Sequence, residues 1–284
     1  MVTVQDFGEH KTAWCPGCGN FAILKCLKQA LAEKSLAPHQ VLFVSGIGQA
    51  AKAPHYLNCN LFNGLHGRAL PVATGARLAN PDLPVIVESG DGCMYGEGGN
   101  HFLAALRRNM NLTVLVHDNQ IYGLTKGQAS PTSDMGHVTK AQPQGVQAEP
   151  FHPLSVAVAM QAGFVARGFA GHQEQLVQLI KSAIDFPGFA LLDILQPCVS
   201  FNRVNTYDWY QKRCKPLAKD YDPSQWDAAM AKSLEWGESI PTGIIYINES
   251  RKPYEERVNI GSKGPLYAQK RSMDEVFQAM ESFA

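Results

Sequence analysis

Two short strings carry the groups best able to do chemistry. Gly90-Asp91-Gly92 follows an apolar run at 85–89, and Asp118-Asn119 follows a second run at 112–117. A carboxylate and a carboxamide supply hard oxygens, and glycines let the backbone approach a phosphate. Mg²⁺ takes few protein oxygens and completes its octahedron with water and substrate phosphates. Asp91 and Asn119, with the backbone oxygen of Ile121, therefore form a candidate Mg²⁺ site facing a diphosphate. Alone, Gly-Asp-Gly is an ordinary turn; pairing it with Asn119 at the end of the next strand gives it chemical meaning.

Cysteine is the second resource. Seven are present: Cys15, Cys18, Cys26, Cys59, Cys93, Cys198 and Cys214. An odd number in a long chain argues against a disulfide framework, and clustered thiols then point to metal or redox chemistry. Trp14-Cys15-Pro16-Gly17-Cys18-Gly19 is open to three readings. A thioredoxin-like dithiol needs a strand before it, and residues 7–13 are polar. Structural zinc needs a second such pair. An iron–sulfur cluster needs further cysteines from distant loops.

The elements that must position these groups alternate. Residues 21–36 place Ile23, Leu24, Leu27 and Leu31 on one helical side. Residues 40–45 read as a buried strand ending at Gly46-Ile47-Gly48. Further helices are expected over 68–80, 99–109, 154–162 and 174–184, and further strands over 85–89, 112–117, 164–169 and 190–195. This pattern predicts an α/β fold, a mostly parallel sheet covered by helices on both faces. Ligands in such sheets bind beyond the carboxyl ends of the strands. Residues 122–153 form a loop too long to be idle. After Pro197-Cys198 the periodicity fades. The expected organisation is an α/β domain over 1–203 and a C-terminal arm or interface segment over 204–284.

Composition narrows the class. Of 284 residues, 45% are hydrophobic and 18% charged, which excludes a disordered chain. Lys+Arg 25 balance Asp+Glu 25 with no basic block, against a nucleic-acid partner. The start MVTVQDFGEHKTAWC lacks a signal-peptide pattern, and no run nears the ~18 apolar residues of a membrane span. A cytoplasmic protein is expected.

Strand, Gly-Asp-Gly, helix, strand and Asn resembles the signature of thiamine-diphosphate-dependent enzymes. WCPGCGN, SGIG, HGRALPVATGARLANPDL, GDG, DNQIYGLTKGQASPT and QPCVSFN, in that order over residues 10–257, resemble the β subunits of 2-oxoacid:ferredoxin oxidoreductases. The resemblance implies a diphosphate-binding fold with thiamine diphosphate, Mg²⁺ and one [4Fe–4S] cluster. It implies cluster ligands at Cys15, Cys18 and Cys198. It departs at Gln49, where the family carries cysteine directly after the glycine loop. Cys59, in the same inter-element loop, is the expected replacement. Cys26 reads as core, Cys93 as a cofactor contact, and Cys214 has no assigned role.

The resemblance also implies cofactor contacts at Ser45, Gly46, Ile47 and Gly48, at His66, Gly67 and Arg68, at Gly90, Asp91, Gly92 and Cys93, and at Asn119, Ile121, Tyr122 and Gly123. Leu124 and Thr125 are expected against the thiazolium and substrate. Lys52 is expected on the substrate side, where its cation would meet a second carboxylate and favour 2-oxoglutarate over pyruvate. The implied reaction is CoA-dependent oxidative decarboxylation of a 2-oxoacid to acyl-CoA (succinyl-CoA from 2-oxoglutarate) and CO₂. Electrons would pass through the cluster to ferredoxin, and the reverse direction would fix CO₂. No stretch remains for a pyrimidine-binding domain. A partner α subunit that bears this domain and the activating glutamate is therefore expected, in an (αβ)₂ assembly. The competing readings are a pyruvate-specific relative, a cluster-free thiamine decarboxylase or synthase subunit, and a non-enzymatic zinc or thiol module.

Overall fold

The apolar runs become the inner strands of one sheet. The computed structural model describes residues 1–258, 264–270 and 272–283. In chain order the elements are α1 (Gly19–Glu33), β1 (Leu42–Ser45), β2 (Asn60–Asn63), α2 (Ala69–Ala79), β3 (Val85–Gly90), α3 (Gly99–Arg108), β4 (Leu112–Asp118), β5 (Ile121–Tyr122), β6 (Gln128–Ala129), α4 (Pro153–Ala159), β7 (Phe164–Phe169), α5 (Gln173–Asp185), β8 (Phe189–Leu195), α6 (Tyr207–Arg213), β9 (Cys214–Pro216), α7 (Trp226–Leu234), β10 (Ile240–Ile247), α8 (Tyr254–Arg257) and α9 (Met273–Glu281). The main sheet has the order β2-β1-β3-β4-β8-β7-β10-β9. From β2 to β7 its strands run parallel.

Strands β4, β7 and β8 are buried along their whole length, as strands covered on both faces must be. The two-residue alternation sorts their side chains. Ile86, Leu115, Leu192 and Ile194 pack with Ile23, Leu27 and Leu31 of α1 and Ile180 of α5. Val87, Val114, Val116 and Leu191 pack with Leu70, Phe102, Leu106 and Leu154 of α2, α3 and α4. Each such burial contributes about 1.5–3 kcal/mol.

Past residue 203, two strands join the sheet: β10 pairs antiparallel with β7, and β9 pairs with β10. Gly243 has φ +136°, and the register shifts between Ile244 and Tyr246. Pro241, Gly243 and this bulge erase the alternation by which a strand is read. Strand β2 also escapes a sequence reading, being four exposed residues bounded by asparagines. Among the described residues, no helix is long and apolar enough to cross a membrane.

Candidate active site

Asp91 leaves β3 and Asn119 leaves β4, and the two strands are parallel neighbours with Gly90 level with His117. Parallel pairing therefore delivers both side chains to the same edge of the sheet. Asp91 starts a π-helical turn, Gly92–Glu97, of the kind found most often at functional sites. At Gly92 a Cβ would lie 2.3 Å from the Tyr122 ring, so only glycine fits. Asp91 Oδ2 lies 2.7 Å from Thr132 Oγ1, and Asp118 Oδ1 lies 2.8 Å from the same hydroxyl. One hydroxyl has one proton, so it donates to one carboxyl and accepts from the other. Burial pushes both carboxyls up, Asp118 furthest, with Asp193 and Asp91 adding like charge.

A cavity opens at this edge. Ile47, Gly48, Gly90, Asp91, Gly92 and Cys93 line it, and so do Asn119, Ile121, Tyr122, Gly123, Leu124 and Thr125, with His66 at one side. Gly46 and Lys52 line an adjoining cleft with His55 and Leu124. Cys93 Sγ accepts from the N–H groups of Gly67 at 3.1 Å and Ile47 at 3.4 Å, tying two loops together. His66 Nδ1 lies 3.0 Å from Glu97 Oε2. Thr125 Oγ1 donates to Gln128 Oε1 at 2.5 Å. Two expected contacts lie elsewhere. The Ser45 hydroxyl donates to Ala51 O and accepts from Asn63 Nδ2, both at 2.8 Å. Arg68 is exposed and meets His101 at 3.2 Å.

The donor set fits a metal-bound diphosphate: a carboxylate, a carboxamide and main-chain oxygen are the hard ligands Mg²⁺ takes, beside glycines that leave room for phosphate. Asn119 Oδ1 also accepts from the Ile121 N–H at 3.0 Å, which fixes the turn.

Beneath Asp91 lies a buried layer that the sequence reading missed. Tyr95 OH donates to Asp193 Oδ2 at 2.6 Å, while Asp193 Oδ1 has no partner. Burial raises Asp193 to about 7, against the lowering effect of Tyr95 and Arg167. Arg167 is itself buried, with its guanidinium donating to the Ser233 carbonyl at 3.2 Å. A second buried relay runs from Glu88 Oε1 to His117 Nε2 and from His117 Nδ1 to Asn20 Oδ1, each 2.8 Å. Single polar residues inside apolar strands have no spacing to betray them. Thr132 and Asn20 stood in quoted motifs, QASPT and WCPGCGN, without a role.

The thiols gather one wall away. In Cys15-Pro16-Gly17-Cys18 the Cys18 N–H donates to Cys15 O at 3.0 Å, and Gly17 has φ +81°, as a type II turn requires after proline. Cys18 precedes α1 directly. The Gly19 N–H donates to Pro197 O at 3.3 Å, and a Cβ on Gly19 would lie 2.7 Å from Gln196 Cγ. This close approach brings Cys198 to the turn. Cys15, Cys18 and Cys198 share one cavity with Trp14, Gln49 and Phe201. Burial, with Cys198 and Cys15 nearby, raises the Cys18 thiol to about 11. Gln196 bridges the two cavities: its Nε2 donates to Cys18 Sγ at 3.4 Å, and its Oε1 accepts from Asn119 Nδ2 at 3.1 Å.

Cys59 is not brought to this cavity. It directly precedes β2, whose Asn60 pairs with Leu42 at the amino end of β1, while the glycine loop leaves the carboxyl end. Its thiol sits 4.0 Å from Leu57 O and is pushed up to about 12 by burial and Glu88. Gln49 lines the same cavity as the three thiols, and its Oε1 is buried without a hydrogen-bond partner among the described residues. Cys26 is core, as expected, and Cys214 is buried against the cluster around Tyr210.

The parallel sheet and the hard-oxygen cavity at its carboxyl edge lie within residues 40–194, which match the family described as thiamine pyrophosphate enzyme, C-terminal TPP binding domain. Residues 198–262 match the family described as pyruvate ferredoxin oxidoreductase beta subunit, C terminal. The chain is 46% identical over 267 residues to the 2-oxoacid:ferredoxin oxidoreductase subunit beta of Sulfolobus sp, covering 89% of this chain and 87% of that one. It is 45% identical over 199 residues to the 2-oxoglutarate oxidoreductase subunit KorB of Mycobacterium tuberculosis, covering 70% and 53%. A solved 2-oxoglutarate:ferredoxin oxidoreductase from Magnetococcus marinus, with 2-oxoglutarate, coenzyme A and succinyl-CoA bound, superposes with TM-score 0.91 at 35% identity over 98% of this chain and 96% of that one. The chain belongs to the 2-oxoacid:ferredoxin oxidoreductase β subunits, and so is a subunit of an oxidoreductase.

Proposed function

We propose that this β subunit works on 2-oxoglutarate, holding thiamine diphosphate through Mg²⁺ at Asp91, Asn119 and the Ile121 carbonyl, beside an iron–sulfur cluster on Cys15, Cys18 and Cys198. The overall reaction is 2-oxoacid + CoA + 2 oxidised ferredoxin giving acyl-CoA + CO₂ + H⁺ + 2 reduced ferredoxin, and it is reversible in principle. Thiamine diphosphate supplies the electron sink for decarboxylation when bound. An α subunit supplies the pyrimidine-binding half and the activating glutamate. The observation that carries the reading is the adjacency of the hard-oxygen cavity and the three-thiol cavity, joined through Gln196.

This chain's residues divide the work. Gly90 and Gly92 leave room for the diphosphate. Thr132 holds the Asp91 and Asp118 carboxyls in place through one shared hydroxyl. Leu124 covers both the cofactor cavity and the neighbouring cleft. In that cleft Lys52 has no ion-pair partner among the described residues, and its cation suits the distal carboxylate of 2-oxoglutarate. The relatives named for 2-oxoglutarate support this choice. Gln49 in place of a thiol favours one second reading, a thiamine decarboxylase subunit without a cluster.

In the assembled αβ protein, Asp91→Ala is expected to abolish thiamine diphosphate retention through gel filtration; normal retention would remove the metal assignment. Lys52→Ala is expected to raise KM for 2-oxoglutarate roughly tenfold or more, the worth of a hydrogen bond to a charged group, and to leave pyruvate little changed. Equal effects on both acids would show that Lys52 does not read the distal carboxylate.

A further inference from the structure

Three soft ligands, Cys15, Cys18 and Cys198, line the thiol cavity together with the oxygen-bearing side chains of Asn20, Gln49, Asn119, Gln196 and Ser200. The oxygens of Asn20, Asn119 and Gln196 are already engaged, by His117, the Ile121 N–H and Asn119 Nδ2. The Gln49 main chain is fixed, since its carbonyl accepts from Trp14 Nε1 at 2.8 Å and Trp14 packs edge-on against Phe21 and Tyr56. Its side-chain Oε1 is nevertheless buried with no hydrogen-bond partner. A buried acceptor without a donor is costly, so this atom is free to take a partner. Cys59 lies toward the other end of β1 and does not compete for the position. Gln49 also lines the cofactor cavity, so it stands on the wall between the two sites.

Building on the cluster reading above, we propose that the three cysteines hold three irons of a [4Fe–4S] cluster as thiolates, while Gln49 Oε1 stands at the fourth iron. An amide oxygen is a far weaker partner for this iron than a thiolate. The fourth iron is therefore removable. A one-electron oxidant such as ferricyanide takes one electron from [4Fe–4S]²⁺ to give [4Fe–4S]³⁺, which releases Fe²⁺ and leaves [3Fe–4S]⁺. The bonds broken are those of that iron to the Gln49 oxygen and to its three sulfides. All three cysteine–iron bonds survive, and Fe²⁺ with one electron restores the cube.

The test uses the αβ complex purified without oxygen, with iron and sulfide analysis and EPR before and after ferricyanide. Wild type is expected to fall from about four to about three irons per β chain, with the near-isotropic signal of an oxidised three-iron cluster. Fe²⁺ plus dithionite is expected to reverse both changes. Gln49→Cys is expected to keep its four irons through ferricyanide, and Cys59→Ser to behave as wild type. Four irons retained by the wild type would overturn the removable corner and leave the cluster reading standing. Loss of the cluster in Cys59→Ser, with thiamine diphosphate still bound, would move the fourth ligand to Cys59 and overturn the Gln49 assignment. No iron in the wild type, with thiamine diphosphate bound, would overturn the proposal and the cluster reading together.

Discussion

Asp193 concentrates the electrostatics of the site in one side chain. The Tyr95 hydroxyl donates to it, the Arg167 charge lowers it and the Asp91 charge raises it, and burial dominates, raising it to about 7. A carboxyl raised in the folded state binds a proton that the unfolded chain has already released. Its contribution to stability is thus complete below about pH 4 and is lost as pH rises to about 7. We expect the difference in unfolding free energy between wild type and Asp193→Asn, from denaturant melts of the protein without cofactors, to change across pH 4–7 and flatten above it. A difference independent of pH would place the proton elsewhere. At this scale the sequence was partly legible. Asp91 and Asn119 could be read because each sits just past the end of a strand, within a short string of glycines or polar residues that breaks the apolar run. Thr132, Tyr95, Asp193 and Arg167 could not, since each acts through a contact between segments far apart in the chain. Ser45 and Arg68 lie in the expected strings, yet their side chains serve a backbone clamp and the surface.

Helix α1 shows how one element aligns two sites. Its first residue, Gly19, touches the 196–198 loop, and Gln196 there holds both Cys18 and Asn119. Gly19→Ala would place a methyl 2.7 Å from Gln196 Cγ and 3.3 Å from Pro197 Cδ. Overpacking of this kind costs about 1–3 kcal/mol, so a loss of a few degrees in Tm is expected. Iron content in the αβ complex is expected to drop far more than such a loss of stability explains, as metal analysis beside a thermal melt will show. Retained iron would mean that the helix start does not set the thiol geometry. The inner strands β1, β3, β4, β7 and β8 were readable because burial on both faces demands unbroken apolar runs. Strands β2 and β10 were not, because an exposed edge and a bulge remove that demand.

At the scale of the whole molecule, the chain presents its cofactor cavity beside an open sheet edge. β2 pairs with β1 alone in the main sheet, and Leu61, Phe62 and Leu65 around it are 41%, 49% and 74% exposed. Such an edge offers unpaired backbone groups to any other chain. Light scattering is expected to show that the β chain made alone self-associates, and that mixing with its α partner suppresses this. A monodisperse lone chain would mean that the edge needs no cover. The open edge also sets a demand on supply. Surplus β chain has nothing to shield Phe62 and Leu65, so excess is expected to be lost to aggregation or proteolysis. A cell that translates the two subunits in equal dosage, close together, wastes the least protein.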